Sequence, residues 1–289
     1  MNDGPTKLAI VTDSTCDLNA ETLQSLNVAR VPLSVHFQGK TYKDWLEITP
    51  RQIIEGVQAG AGTPTTSQPS PQDFETAYRD TIAAGAEEIL CLTLSSEISG
   101  TYQSATLAAA SAEVPVTVFD SRAASLGLGG MVIEASRMRA AGFSLADILQ
   151  AIEHIRDSNY ALFTVAGLEF LQKGGRIGRA SALLGSLLNI KPLLAFQDGR
   201  IEPVGRARGA KKALRELVNQ LRAYQSSHPG RLIAYFIHVE DEAATETLRR
   251  EMEAAGLEFE NAGTYEIGAV IASHAGPGTY GVYVHTKPK

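Results

Sequence analysis

The chain has 289 residues, 44% hydrophobic and 20% charged, enough for one large α/β domain or two of ordinary size. Its formal net charge of −6 excludes a general electrostatic grip on nucleic acid or an anionic membrane. No apolar stretch approaches the roughly 20 residues of a membrane helix. Two cysteines, Cys16 and Cys91, give neither a disulfide framework nor metal-ligand spacing. The N-terminal MNDGPTKLAIV lacks the apolar core of a signal peptide, so a cytoplasmic protein without stable membrane insertion is expected.

LAIV (Leu8–Val11) reads as a first strand, followed by the polar break TDSTCD (Thr12–Asp17) and a short helix over Leu18–Leu26. Ala29–Phe37 alternates as a strand, and Gln38–Lys43 reads as a turn and return strand. Thr49 and Pro50, a cap and a first helical residue, open a helix to about Ala59. Gly60–Pro71 reads as a loop, ending in TTSQPSP (Thr65–Pro71), and Pro71–Ala84 as a helix. EILCLTL (Glu88–Leu94) and VTVF (Val116–Phe119) are strands that run into SSEISGTY (Ser95–Tyr102) and DSRAASLGLGG (Asp120–Gly130). Helices are predicted at Ser99–Ala112, Ala124–Ala141 and Ser144–Ser158. Strand, polar turn and helix in repetition predict a Rossmann-like parallel α/β sheet over residues 1–159. The turns of such a sheet gather at one edge, here a mouth of hydroxyls and free N–H groups that suits an anionic head group.

From residue 160 to 289 the pattern predicts a second, mixed α/β domain. Tyr160–Val165 reads as a strand, Leu168–Lys173 as a short helix and Ala180–Leu188 as a Leu-rich helix. Lys191–Phe196 and Arg200–Val204 form a hairpin about Asp198-Gly199, and Gly209–Tyr224 is a long helix. Strand Arg231–His238, helix Glu240–Ala255 and strands Gly263–Ile267, Ala269–Ser273 and Val282–Thr286 complete the chain.

Thr65, Thr66, Ser67, Ser70, Ser95 and Ser96 are loop hydroxyls that could share one cleft. Hydroxyls with a few N–H groups hold a carboxylate, although each residue is also an ordinary cap or turn former. His274, in SHAGPGTYG, can pair with a hydroxyl or donate to an anion. A hydrolase or transferase using Ser95 or Ser96 with His274 lacks the Gly-x-Ser-x-Gly elbow. Asp13 fits a turn-fixing role, Asp17 a first-turn helix acid and Cys16 a small buried residue. GGRIGR (Gly174–Arg179), with Arg206 and Arg208 beyond it, suits phosphate or carboxylate recognition as well as a solvated loop. No Walker-type loop is present, and GPGTYG, which has the GxGxxG spacing, precedes a predicted strand rather than a helix, so nothing here reads as a nucleotide cradle. The apolar run from Leu183 to Phe196 reads as core, or as the wall of a long acyl site beside the hydroxyl mouth.

IVTDSTCDL, TSQPSP, SSEISGTYQSA, FDSRAASLGLG, LEFLQKGGRIG and GPGTYG, in order from Leu8 to Val284, resemble the DegV family. The resemblance implies a two-domain α/β protein holding one long-chain fatty acid in a tunnel between its halves, with no other cofactor. It also implies a role as the acyl-binding subunit of a fatty acid kinase in phospholipid metabolism, with catalysis in a separate ATP-using partner. By motif, Thr66, Ser96 and His274 then fall on the carboxylate, with Ser95 and Ser67 beside them. Arg176, Arg208 and adjacent Arg206 fall on the kinase-docking surface, although Gly209 stands where relatives often carry a Thr.

Overall fold

The computed structural model describes residues 7–184 and 190–288. Along the first half run β1 (Leu8–Asp13), α1 (Ala20–Ser25), β2 (Val28–Val31), β3 (Ser34–Phe37), β4 (Lys40–Lys43), α2 (Pro50–Gln58) and β5 (Thr65–Ser67). They are followed by α3 (Pro71–Ala83), β6 (Glu88–Thr93), α4 (Thr101–Ala109), β7 (Val116–Asp120), α5 (Leu126–Ala140) and α6 (Leu145–Ser158). The second half holds β8 (Tyr160–Thr164), α7 (Glu169–Lys173), a 3-10 helix (Gly178–Leu183), β9 (Ile190–Gln197) and β10 (Arg200–Arg208). It ends with α8 (Ala210–Ser227), β11 (Leu232–His238), α9 (Glu242–Ala254), β12 (Phe259–Glu266), α10 (Ala269–Ala275) and β13 (Tyr280–Thr286).

The predicted parallel sheet is present, in the order β2-β1-β6-β7. A mixed sheet, β10-β9-β8-β13-β11-β12, occupies the second half, with only β11 and β12 parallel. A third sheet, the antiparallel β4-β3-β5, contains the expected turn and return strand at Gln38–Lys43 and adds β5, which the sequence reading leaves in a loop.

The helices start where the sequence places caps. Thr49, Ser70 and Ser144 each close a capping box with the residue three positions on, satisfying N–H groups that a helix leaves free. The strand expected over Ala29–Phe37 is two strands in two sheets. Pro32 has no N–H to give a ladder, and the Leu33 N–H turns to Ser14 Oγ at 3.0 Å instead. The expected loop Gly60–Pro71 contains β5, which pairs with β3. The expected strand Ala269–Ser273 is helix α10, and the expected helix Ala180–Leu188 is a 3-10 helix to Leu183, its 185–189 part lying outside the described residues.

The largest apolar cluster lies between the two main sheets, with Ile10 and Leu92 of the first, Phe163, Leu194 and Ile237 of the second, and α5 between them. Small residues let α5 in. Gly129 lies so close to the Cys16 carbonyl that an added Cβ would stand 2.5 Å from that oxygen. A Gly129→Ala protein must move backbone rather than a side chain, and we expect a loss of about 1–3 kcal/mol in denaturant unfolding.

Candidate functional site

Three breaks at the carboxyl ends of β1, β6 and β7 lie side by side. Asp13 ties the first two together, accepting from Thr15 N and Oγ1 within its own turn and from Leu94 N across the sheet at 2.7 Å. Its carboxyl is pushed up to about 6 by complete burial, against these hydrogen bonds. Cys16 is buried and its thiol lies well above the ordinary range, chiefly through desolvation, so it is no nucleophile.

Asp17 and Asp44 hold α10. Asp17 Oδ1 accepts from Gly268 N at 2.9 Å, and Asp44 Oδ1 accepts from Val270 N at 3.2 Å. Ser14 Oγ donates to the other Asp44 oxygen at 2.7 Å. These two buried carboxylates meet the free N–H groups at the start of α10, which explains a helix where Val270 and Ile271 alone suggest a strand. Burial raises both carboxyls, Asp44 to about 6.

At the other end of α10, His274 Nε2 lies 2.8 Å from Thr66 Oγ1, a contact spanning 208 residues of sequence. Thr66 reaches it because side chains alternate along β5. Ser67 faces the opposite side, where its Oγ is 3.0 Å from His36 Nε2. His274 Nδ1 is buried without a partner and packs on Gly174, where an added Cβ would stand 2.1 Å from it. A partnerless lone pair costs less than a partnerless N–H, which assigns the ring proton to Nε2. Nε2–H then donates to Thr66 Oγ1, leaving the single Thr66 hydroxyl proton for an anion. Burial, and then the charge of Arg176, hold His274 down at about 4, so the ring is neutral at pH 7.

Arg176 bridges two loops at this place, its Nε donating to the Ile98 carbonyl at 3.1 Å and Nη1 to the Gly174 carbonyl at 2.8 Å. Beneath Arg176 and His274 opens a narrow cavity of about 70 Å³ between the main sheets. Its walls are apolar, among them Ile98, Phe163, Phe196, Ile201, Ile237 and Ile271. Ser125 also lines it, with φ of 52° and ψ of −138°. The sequence motif DSRAASLGLGG contains Ser125, but nothing in its spacing marks this position.

The other predicted residues lie elsewhere on the mouth. Ser96 Oγ donates to Asp120 Oδ2 at 2.6 Å, and Ser95 Oγ to the Gly199 carbonyl at 2.8 Å. Their hydroxyl protons are therefore engaged, and neither serine is paired with His274. Arg206 and Arg208 are exposed on edge strand β10, where with Lys212 and Arg215 they border a shallow groove. No cluster of His, Cys, Asp or Glu that could hold a metal occurs among the described residues, and no helix there is long and apolar enough to cross a membrane.

Residues 7–287 match the family model described as "Uncharacterised protein, DegV family". The chain belongs to the DegV family. A DegV domain-containing protein of Deinococcus radiodurans is 46% identical over 275 residues, 95% of this chain and 97% of that protein. A DegV family protein of Thermus thermophilus, solved for its fatty acid binding, is 48% identical with a TM-score of 0.92, covering 97% of this chain and all (100%) of that one. A stearic acid-binding protein of Eubacterium ventriosum superposes with a TM-score of 0.88 at 28% identity, covering 98% of each chain. The DegV fold, with a parallel sheet in the first half and a mixed sheet in the second, is thereby established for this chain.

The His274 environment has a consequence for stability. Its folded-state value near 4 lies below the ordinary 6.5, so the folded protein resists a proton that the unfolded chain accepts. Stability from this group is full above pH 6.5 and falls as pH drops toward 4, by up to about 3 kcal/mol. Asp13 and Asp44, raised to about 6, act in the opposite sense, losing stability as pH rises from about 4 to 6. The comparison that isolates the histidine is with His274→Gln. Urea unfolding at pH 7 and pH 4.5 should show a larger acid loss in the wild type than in the variant, and equal losses would refute the assignment.

Proposed function

We propose that this chain binds one long-chain fatty acid, acyl chain in the apolar cavity and carboxylate at Thr66, His274 and Arg176, and presents that carboxylate to a kinase partner. Residues 1–159 and 160–289 act as two domains that form the walls of the acyl site. The observation that carries the reading is a narrow apolar cavity lined by His274, which is bonded to Thr66, and by Arg176, into which a long chain enters by parting the apolar side chains that close it. Apolar walls favour a chain at about 0.8 kcal/mol per buried methylene. The fatty acid binding of the Thermus relative and the stearic acid binding of the Eubacterium relative support the same ligand class.

The carrier has no catalytic turnover of its own. A carboxylate becomes an acyl phosphate only when a phosphoryl group is supplied. The sequence has no Walker loop, and its one GxGxxG match, Gly276–Gly281, runs from the end of α10 into β13 rather than from a strand into a helix, so it is no phosphate cradle. The donor therefore comes with a second protein. The exposed Arg206 and Arg208, together with Arg176 at the rim, form its docking surface in a chain that is otherwise acidic. Ser96, Ser95 and Ser67 stand beside Thr66 as further carboxylate hydroxyls, and each would have to exchange its bond to Asp120, the Gly199 carbonyl or His36 to meet the ligand. The serine hydrolase alternative, Ser96 with His274, has the opposite problem: Ser96 is bonded to Asp120 and His274 to Thr66.

Protein purified from cells, denatured and extracted with organic solvent, should yield one fatty acid per chain by mass spectrometry. Thr66→Ala and His274→Ala should weaken retention roughly 10- to 100-fold, the worth of a hydrogen bond to a charged group. Lipid-free wild-type protein, or steady acyl phosphate formation from ATP by the chain alone, would refute the reading. Arg208→Glu should keep its lipid while losing affinity for the kinase subunit, and loss of lipid instead would place Arg208 in the acyl site.

A further inference from the structure

Among the described residues, one lines both the acyl cavity and an open cleft at the surface. Side chains along β9 alternate, so that Leu193 and Ala195 pack in the cluster with α8, whereas Leu194 and Phe196 join the cluster between the main sheets. Phe196, 7% exposed, lines the narrow acyl cavity. It also lines a separate open cleft of about 810 Å³, whose wall is polar and includes Arg122, Arg156, Asn159, Asp198 and His228. Among the described residues it is the one side chain that borders both. Its backbone is fixed by pairing with Ala161 on one side and Ile201 on the other, which holds the residue between the two spaces.

We propose that Phe196 is the chain-length stop of this protein, the residue against which the acyl tail ends. The inference rests on the fatty-acid reading above and adds the group that sets ligand length. Each methylene kept out of water strengthens binding roughly fourfold until the tail meets the ring. A longer chain has to displace the phenyl toward the cleft, whose polar wall gives a hydrocarbon nothing in return. Affinity therefore rises with chain length, reaches a maximum and falls.

The test is the length profile, measured in wild type, Phe196→Ala, Phe196→Leu and Phe196→Trp by mass spectrometry of co-purified lipid and by competition among saturated fatty acids of increasing length. Removing the ring should move the optimum of Phe196→Ala at least two carbons longer than wild type. Phe196→Leu should move it in the same direction by less, and Phe196→Trp should shorten it. The Leu and Trp proteins conserve apolar bulk, so the inference stands or falls on them if the alanine protein does not fold. Lipid-free wild-type protein would overturn the fatty-acid reading and this one with it. Lipid in the wild type with an unchanged optimum in the variants, or loss of all lipid in both Phe196→Ala and Phe196→Leu, would overturn only the assignment of Phe196.

Discussion

Two buried carboxylates on backbone N–H groups hold the site together. Asp17 and Asp44, both from the first 45 residues, accept from Gly268 and Val270 at the start of α10. A helix of seven residues is too short to persist by itself, because it makes few internal hydrogen bonds for the entropy it costs. Tied at its start to the far end of the sequence, α10 projects His274 onto Thr66 of the small antiparallel sheet. Asp17, Asp44 and His274 share a condition: each keeps a polar group out of water and replaces lost hydration with few partners. That condition raises the acids and lowers the base, and it keeps His274 uncharged where an anion is to be met.

A neutral histidine facing an anion has a physical logic. A charged imidazolium beside Arg176 would repel it and would have to be desolvated. The neutral ring instead serves Thr66, taking over its acceptor side and freeing its proton. The positive charge is left to Arg176, which needs no proton exchange to keep it. The cavity below is bounded by isoleucine and phenylalanine side chains that supply dispersion and exclude water, and selectivity there is a matter of shape and length.

Much of the fold was legible because its elements carry their own signals. The strands at Leu8, Glu88 and Val116 are short apolar runs before polar turns, and Thr49, Ser70 and Ser144 cap helices where their spacing says they should. The failures have a common cause. β5 has three residues and no periodicity, so only its partner β3 makes it a strand. α10 contains Val270 and Ile271, whose branched side chains suggest a strand, and its helical form depends on acceptors more than 220 residues away. Pro32 marked a break that the alternation of Ala29–Phe37 concealed. At the site, the motifs brought out Thr66 and His274 for the carboxylate and Arg176 for partner docking, and the structure sets Thr66 against His274, with Arg176 and His274 on one cavity. The facing of Ser67, the engagement of Ser95 and Ser96, and the exposure of Ser125 to the cavity depend on side-chain directions that no spacing encodes.

The central claim is that a carboxylate sits at the Thr66–His274 pair with its chain between the two main sheets. A crystal structure of the protein as purified from cells tests it most directly. The account predicts continuous, unbranched density running from the cavity to a head group whose oxygens lie within hydrogen-bonding distance of Thr66 Oγ1. An acyl chain in the cleft beyond Phe196, or a head group away from Thr66, would contradict it.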